Sequence, residues 1–410
     1  MSNPSSTPTT PHATCPIDHS KLSAQKTGRE SYAGKAALEQ DAKGDWQVYG
    51  YQPAKLILRS GKVKQAGFQA DEMEKLPSAM RDPILFQEGK THREQRVKTA
   101  KFFTPRVTDE NYRVFMNTFA DKALAGLISS KRADLSQVSL QLAVDVAAQV
   151  VGLNHSRFRG MAGRLEAFFT TYPHDNANWI GKLRKFVRNQ ASSLQFFLAD
   201  VQPAIAARKK ESQEDLITHL ISEGYTNLEI LIECITFAAA GMVTTREFIS
   251  VCAWHLFSQV ELKEQYLAAD QKERYKILHE LLRLESVVGH LYRRATDDIT
   301  IELPEGTHHI KAGERIVLHV YGHNVDEQVV GEAAQMACPV RNLPKGVGDA
   351  VMSFGDGNHR CPGAYIAIQE TDIFLQKLFQ LDGLHMIKEP NLSWNDLVKG
   401  YELRDFQVGL

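Results

Sequence analysis

The amino-acid sequence predicts a mainly α-helical protein with a minor β-sheet, folded as one domain over residues 31–410. Three observations support this fold class. Residues 226–258 form a long, largely apolar stretch with helical periodicity, which is expected to run through the core. Helical patterns dominate as far as about residue 290. The short stretches 298–303 and 314–321 are typical of strands.

Local patterns predict the other elements in chain order. Residues 46–60 indicate a short strand followed by a helix, and 91–103 indicate a charged amphipathic helix. Another helix is expected at 272–288. A Gly/Pro-rich loop covers 339–363, and a helix at 364–379 follows it.

Composition and charge argue against several classes of protein. The 410 residues carry a formal net charge of -1, which disfavours a nucleic-acid or anionic-membrane partner. The longest nearly apolar run, 234–243, is shorter than the roughly 18 residues of a membrane anchor. Residues 1–30 are rich in Ser, Thr and Pro and are predicted to form a disordered tail rather than a secretory signal.

The cysteines favour a reducing, cytoplasmic location. Their number is odd, their spacing is wide, and no C-x-x-C pair occurs, which argues against a disulfide framework. The five are Cys15, Cys234, Cys252, Cys338 and Cys361.

The loop FGDGNHRCPG, residues 354–363, carries the strongest chemical signal. Its glycines permit positive φ and a close approach of the backbone to a flat ligand. Backbone N–H groups of the loop and the start of the following helix can hold Cys361 as a thiolate. His359 can donate to a carboxylate on the rim of a cofactor. These groups fit an iron–thiolate bond whose sulfur pushes electron density onto the metal.

The loop resembles F-x-x-G-x-H-x-C-x-G, the haem-binding loop of the cytochrome P-450 family, at Phe354, Gly357, His359, Cys361 and Gly363. The resemblance extends from about Trp46 to Leu410. It implies the family's fold, in which haem b (iron protoporphyrin IX) lies between a long central helix and the Cys loop. It also implies that Cys361 is the axial iron ligand and that Gly355 belongs to the same cofactor-binding loop.

A second motif is Glu280-Leu281-Leu282-Arg283, in which the charged pair shares one helical face among apolar neighbours. A buried pair needs a further partner. The family has an E-x-x-R helix whose pair is completed by an Arg before the cysteine, and Arg341 stands about there. The resemblance therefore implies that Glu280, Arg283 and Arg341 form a structural triad rather than a catalytic one.

Further basic residues are candidates for binding the haem propionates. His92 and Arg96 are four residues apart, so both can face one anionic group, although a solvated charged face is the alternative. They resemble the family's H-x-x-x-R helix. Arg293 resembles the propionate-binding Arg of the family's R-x-A, with Arg294 as its rival, because alternation along a strand sends only one of the two inward.

The long helix contains Ala240-Gly241-Met242-Val243-Thr244-Thr245, which resembles the family's A-G-x-(acid)-T-T except that Val243 replaces the acid. Gly241 costs about 1 kcal/mol inside a helix and leaves room for a macrocycle and dioxygen, unless it serves ordinary helix packing. The Thr244 hydroxyl can bond the carbonyl four residues back and bend the helix. Val243 puts the usual proton relay in doubt. Glu247 could supply protons through water, or it pairs with Arg246 or another surface charge.

The resemblance implies a haem-thiolate monooxygenase that inserts one oxygen atom from O₂ into a small apolar organic substrate. No G-x-G-x-x-G lies at a strand–helix junction and no Cys cluster occurs, so electrons from NAD(P)H are expected through a separate ferredoxin or flavodoxin with its reductase. A peroxide-driven peroxygenase and a non-catalytic haem-based gas sensor or ligand carrier are the alternatives.

Two surfaces complete these expectations. The substrate pocket is predicted to include Ala240, Val243, Gly289 and His290. A basic patch at the Cys loop and the His92 helix is predicted to attract an acidic redox partner. Its residues are Arg93, Lys98, Lys101 and Arg360.

Overall fold

A computed structural model of the chain describes residues 23–26, 34–68, 70–73, 80–169 and 179–410. In this part the protein is mainly helical with small sheets, so the predicted fold class is confirmed.

The helices are α1 (Tyr51–Arg59), α2 (Ala70–Met73), α3 (Gly89–Ala100), α4 (Pro105–Val107), α5 (Arg113–Ser130), α6 (Leu135–Val151), α7 (Met161–Phe169), α8 (Trp179–Phe196), α9 (Gln202–Lys210), α10 (Leu216–Ser222), α11 (Asn227–Ala238), α12 (Thr244–Ser258), α13 (Val260–Ala268), α14 (Gln271–Leu284), α15 (Val320–Asn324), α16 (Glu327–Val330) and α17 (Ala364–Phe379). The strands are β1 (Leu38–Gln40), β2 (Trp46–Val48), β3 (Val63–Gln65), β4 (Arg132–Asp134), β5 (His290–Ala295), β6 (Ile299–Leu303), β7 (Gly306–Ile310), β8 (Arg315–His319), β9 (His385–Lys388), β10 (Asn391–Asn395), β11 (Gly400–Arg404) and β12 (Gln407–Gly409).

The largest sheet has the order β1-β2-β8-β5-β3 and is antiparallel except for the parallel pair β2 and β8. Its register sets Gln65 of β3 opposite Arg293 of β5. Smaller sheets pair β10 with β11, β6 with β7, and β12 with both β4 and β9. The large sheet therefore carries a candidate cofactor-binding arginine on an inner strand.

The long predicted helix is present as α11, a π-helical turn at Ala239–Val243, and α12. A capping box between Thr226 and Glu229 starts it, because each side chain bonds the other's backbone N–H. Helix α6 packs along it. The whole helix, Asn227–Ser258, is long and apolar enough to cross a membrane, but half of its most apolar window is buried inside the protein, as in a core helix.

The prediction of a disordered tail at 1–30 is wrong for residues 23–26. The backbone N–H groups of Gln25 and Lys26 donate to the buried carboxylate of Glu285, and Ser23 forms a bridge with Met336. These residues therefore pack against the core. Residues 1–22 and 27–30 lie outside the described residues.

Helix α14 ends at Leu284 rather than at the predicted residue 288. Glu285 turns inward, where its carboxylate lies 2.7 Å from Nε2 of His255. The next residues leave the helix, and the N–H of Gly289 donates to the carbonyl of Val398 at 3.2 Å. Tertiary contacts thus end a helix that its apolar pattern would continue.

Candidate active site

The backbone of the Cys loop is a tight turn that two glycines make possible. The N–H of Cys361 donates to the carbonyl of Phe354 at 2.8 Å. Gly355 and Gly357 have φ of 67° and 66°, a conformation that favours glycine. A Cβ on Gly357 would lie 2.1 Å from the carbonyl oxygen of Leu58, so no larger residue fits there.

Burial and nearby positive charge have opposite effects on the pKa of the Cys361 thiol. The side chain is accessible, yet burial among the surrounding groups raises its pKa. The N–H of Gly363 donates to the sulfur, and the guanidinium groups of Arg96 and Arg360 add positive charge, so all three lower the pKa. Helix α17 begins at Ala364, and its positive end lies beside the loop.

Two histidines connect helix α3 with this loop. The rings of His92 and His359 stack with centroids 4.1 Å apart, and Nε2 of His359 lies 3.1 Å from Oε1 of Glu88. Burial, His359 and Arg96 lower the pKa of His92 to about 4, so its ring is neutral at pH 7. Glu88 is spaced four residues before His92, as Arg96 is four after it, and this spacing was the signal by which Glu88 could have been found.

Arg293 is the buried arginine of strand β5. It donates to Oε1 of Gln65 and, at 2.8 Å, to the carbonyl of Tyr292, both uncharged acceptors. Burial lowers its pKa to about 10, which Glu88 partly opposes. Arg294 instead donates to the carbonyl of Gly313 at the surface. The strand alternation thus turns Arg293 inward, and Arg294 is the outer of the two rivals.

The donor set fits a flat cofactor with carboxylates at its rim and a metal that takes a thiolate. Positive or donating side chains converge from three separate elements, α3, β5 and the Cys loop. They are His92, Arg96, Arg293 and His359. Among the described residues, Glu88 is the carboxylate that contacts this set. The excess of positive charge therefore suits the propionates of a haem.

The predicted triad forms a closed network beside the segment that leads to the Cys loop. Arg283 donates to both oxygens of Glu280, at 2.7 and 2.9 Å, and Nε of Arg341 donates at 3.1 Å. The N–H of Cys338 also donates to Glu280 at 2.9 Å. Carbonyl groups accept the remaining arginine protons, including that of Met336 for both arginines. This geometry indicates that the three residues have a structural role.

The long helix opens at its π-helical turn. The Thr244 hydroxyl donates to the carbonyl of Ala240, the bond that the sequence suggested. Ala240 is exposed although its helix is largely buried, which suits a pocket wall. A Cβ on Gly241 would lie 3.4 Å from Cβ of Ala147 on α6, close to an ordinary van der Waals contact, so packing against α6 does not by itself require glycine there. Val243 is 4% exposed, and its burial does not favour a place in the pocket wall.

The hypothesis that Glu247 supplies protons is wrong in this structure. Its carboxylate accepts the N–H of Leu403 at 2.8 Å, forms an ion pair with Arg404, and lies 3.3 Å from Nε of Arg246. All its oxygens therefore bind strand β11 and its own helix. The alternative prediction, that Glu247 pairs with Arg246, agrees better with the structure. The main partner of Glu247, however, is Arg404, which is remote in sequence.

Two further residues predicted for the pocket, Gly289 and His290, have packing contacts of their own in the structure. A Cβ on Gly289 would lie 2.2 Å from the carbonyl oxygen of Lys399 and 2.6 Å from the ring of Tyr321, so close packing requires glycine there. Nε2 of His290 lies 3.0 Å from Nδ1 of His319 on the paired strand β8. Gly289 therefore packs against a segment outside the large sheet, whereas His290 bonds a neighbouring strand within it.

Known proteins match this geometry. The family model for cytochrome P450 matches residues 275–392, which contain the triad and the Cys loop. Mycinamicin IV hydroxylase/epoxidase of Micromonospora griseorubida is 26% identical over 369 residues, 86% of each chain. The crystal structure of CYP109E1 from Bacillus megaterium with corticosterone superimposes with a TM-score of 0.73 and 20% identity, covering 92% of this chain and 95% of that one. P450BioI in complex with an acyl carrier protein that carries hexadec-9Z-enoic acid gives 0.71 and 22%, covering 90% and 92%.

Fold, loop motif, triad and relatives agree, and the relatives are named as hydroxylases and P450s. The family-model match, the relatives and the fold therefore together support a bacterial-type cytochrome P450 monooxygenase.

Proposed function

We propose that this enzyme hydroxylates an apolar organic substrate with O₂, using Cys361 as the axial iron ligand and electrons from a separate redox partner. The observation that carries the proposal is the Cys361 thiol, which receives an N–H bond from Gly363 beside two guanidinium groups. Two structural neighbours bind corticosterone and the hexadec-9Z-enoyl group of an acyl carrier protein; both groups are largely apolar and support that substrate class.

The protein's own residues would then hold the cofactor and manage protons. Haem, when bound, supplies the chemistry of O₂ activation. Arg96 and Arg293 would supply positive charge to its propionates, and His92 and His359 would add ring N–H donors from α3 and the Cys loop. Thr244 holds and donates a proton at its Oγ, which in the structure is given to the carbonyl of Ala240. Rotation of that hydroxyl offers the proton to the pocket.

The redox partner would dock on the basic patch at the Cys loop. Arg93, Lys101 and Arg360 are exposed. Lys98 forms an ion pair with Glu223 and contributes less net charge. A ferredoxin or flavodoxin, reduced by NAD(P)H through its reductase, has the acidic surface that such a patch attracts. Delivery by such carriers is in keeping with a cytoplasmic enzyme.

A peroxygenase, which takes hydrogen peroxide as oxidant, is the second candidate. The buried, apolar Val243 favours it, because no acid stands beside Thr244 on that helix turn. Thr244 itself favours the O₂-dependent reaction. The comparison of product yields with peroxide and with a reducing partner decides between them.

The test of the proposal replaces the axial ligand. Cys361→Ala should abolish both the red-shifted Soret band of the reduced, CO-bound protein and product formation, because no thiolate remains at the iron. The matched control is Cys338→Ala, since Cys338 is half-buried and lies on the segment before the loop. An unchanged thiolate spectrum in Cys361→Ala would refute the assignment.

A further inference from the structure

Glu233 lies on the same face of the long helix as Ala240. It precedes Ala240 by seven residues, a spacing of about two α-helical turns that returns to one helical face. A rise of 1.5 Å per residue sets the Cα atoms of Glu233 and Ala240 about 10 Å apart. This carboxyl therefore stands two turns along the helix from the exposed residue of the π-helical turn.

The carboxyl of Glu233 is buried with one oxygen unmatched. The residue is 2% exposed, and Oε1 accepts the N–H of Ile84 at 2.9 Å. Oε2 has no hydrogen-bond partner among the described residues. Burial raises the pKa of Glu233 to about 8, and the Ile84 bond lowers it only in part. The Glu233 carboxyl is therefore protonated at pH 7. Burying it with one unpaired oxygen lowers the stability of the fold, which indicates a role other than stabilisation.

A second unmatched acceptor lies in the same region. Gln87 is 7% exposed, and its Oε1 also lacks a partner in the part of the chain that the structure describes. The Gln87 side chain hydrogen-bonds Tyr225, whose pKa burial and Glu233 raise. The next residue, Glu88, contacts His359 of the Cys loop. The segment from Ile84 to Glu88 thus runs from Glu233 to the cofactor site.

Holding the segment from Ile84 to Glu88 against the long helix requires only one of the two carboxyl oxygens of Glu233. Glu229, one turn earlier, accepts the N–H of Arg81 at 2.9 Å with one oxygen, and its other oxygen accepts from Thr226. The charged groups nearby are Glu229 and Arg81, whose guanidinium lies 4.5 Å from the centre of the Tyr225 ring. Within the described part of the chain, no cation is among the groups that shift the pKa of the Glu233 carboxyl. An anchoring role explains Oε1, whereas Oε2 is buried without a hydrogen-bond partner among the described residues.

We propose that Glu233, assisted by Gln87, binds a protonated amine of an otherwise apolar substrate, about 10 Å from the end that lies against Ala240. This inference rests on the proposed function, since it names the substrate class of that site. The amine arrives as an ammonium ion and the carboxyl is neutral, so forming the ion pair releases one proton to solvent. No other bond changes, and Glu233 is a specificity-determining residue rather than a catalytic one.

The test is calorimetric binding of two probes to the ferric holoenzyme, N,N-dimethyldecylamine and the neutral 1-methoxydecane. The wild-type protein should prefer the amine by about tenfold or more, as expected for a buried charge-assisted bond. Titrations in two buffers of different ionisation enthalpy should show release of about one proton per amine bound. Glu233→Gln should bind both probes alike and release none, while the matched control Glu229→Gln should keep both properties.

Each other result overturns the inference. Equal binding of the two probes by the wild-type protein removes the amine site. Proton release that persists in Glu233→Gln assigns the amine to the iron instead. A similar loss of both probes in Glu233→Gln and Glu229→Gln reduces Glu233 to an anchor for the segment at Ile84. None of these measurements uses electrons or O₂, so each leaves the monooxygenase proposal standing, just as failure of the Cys361→Ala test leaves them unaffected.

Discussion

Two buried charge clusters of this protein differ in whether they are complete. In the triad, Glu280 receives Arg283, Arg341 and a backbone N–H, so its charge and its hydrogen bonds are matched within the chain. Around the Cys loop, Arg293 donates to uncharged acceptors, and Arg96 donates to a carbonyl. A complete network stabilises the fold, whereas an incomplete one implies a ligand that supplies the missing charge.

The same difference separates two glutamates of the long helix. Glu247 is bound by Arg404 and by the N–H of Leu403, and it serves the fold. Among the residues that the structure describes, Glu233 has one oxygen without a hydrogen-bond partner and no cation beside it. Burial is the same for both, 1% and 2% exposed, so partners rather than depth distinguish a structural acid from a candidate site.

The largest effect is expected from breaking the complete cluster. Arg283→Met leaves the buried Glu280 with one arginine and should lower the free energy of unfolding by about 3–5 kcal/mol, measured by urea denaturation. The control is Arg59→Met, whose pair with Asp356 is 53% exposed on the arginine side and should cost less than about 1 kcal/mol. Equal losses in the two variants would contradict a special role of the triad.

A smaller and different effect is expected from the incomplete cluster. Arg293→Met should speed haem loss to an acceptor protein by about 10–100-fold, because one charged hydrogen bond of about 1.5–3 kcal/mol is removed. Its unfolding free energy should change little, since its present acceptors are neutral. Arg294→Met, one residue away and directed outward, should retain haem normally. If Arg293→Met destabilises the fold as strongly as Arg283→Met, the distinction between the clusters fails.

The long helix offers a third comparison. Thr244→Ala should lower severalfold the product formed per NAD(P)H consumed, with electrons diverted to hydrogen peroxide, because its hydroxyl is the proton donor that we propose for the pocket. Glu247→Gln should leave this ratio unchanged and lower stability by about 1–3 kcal/mol, as its ion pair with Arg404 is lost. A lowered ratio in Glu247→Gln would return that residue to the proton path.

The smallest effect is expected at the surface. Reversing charge at Arg93 and Lys101 together should slow reduction by the redox partner severalfold at low salt, with the difference vanishing at high salt, because exposed charges are screened. The control Lys210→Glu lies on α9. Stopped-flow rates that show no salt-dependent difference would make the patch ordinary solvated surface.

Much of the candidate site was predictable because it is encoded locally. The Cys loop is a run of ten residues, and its glycines are required by the turn and by the approach to Leu58. The pairs His92–Arg96 and Glu280–Arg283 follow helical spacing, which one segment displays. Strand alternation indicated that only one of Arg293 and Arg294 points inward. The pairing of β3 with β5, which sets Arg293 opposite Gln65, identified Arg293 as that residue.

The sequence could not determine which residues from distant parts of the chain contact a given side chain. Glu247 is paired with Arg404, 157 residues away, and Gly289 is packed against Lys399, so neither role is visible in local pattern. Residues 23–26 have the composition of a tail, yet their backbone donates hydrogen bonds to the carboxylate of Glu285. The sequence by itself predicted the fold class, the resemblance to the family and the loop that carries Cys361, because periodicity and motif spacing are local properties. Only the tertiary structure decided which buried charges are matched, because that depends on partners brought together by folding.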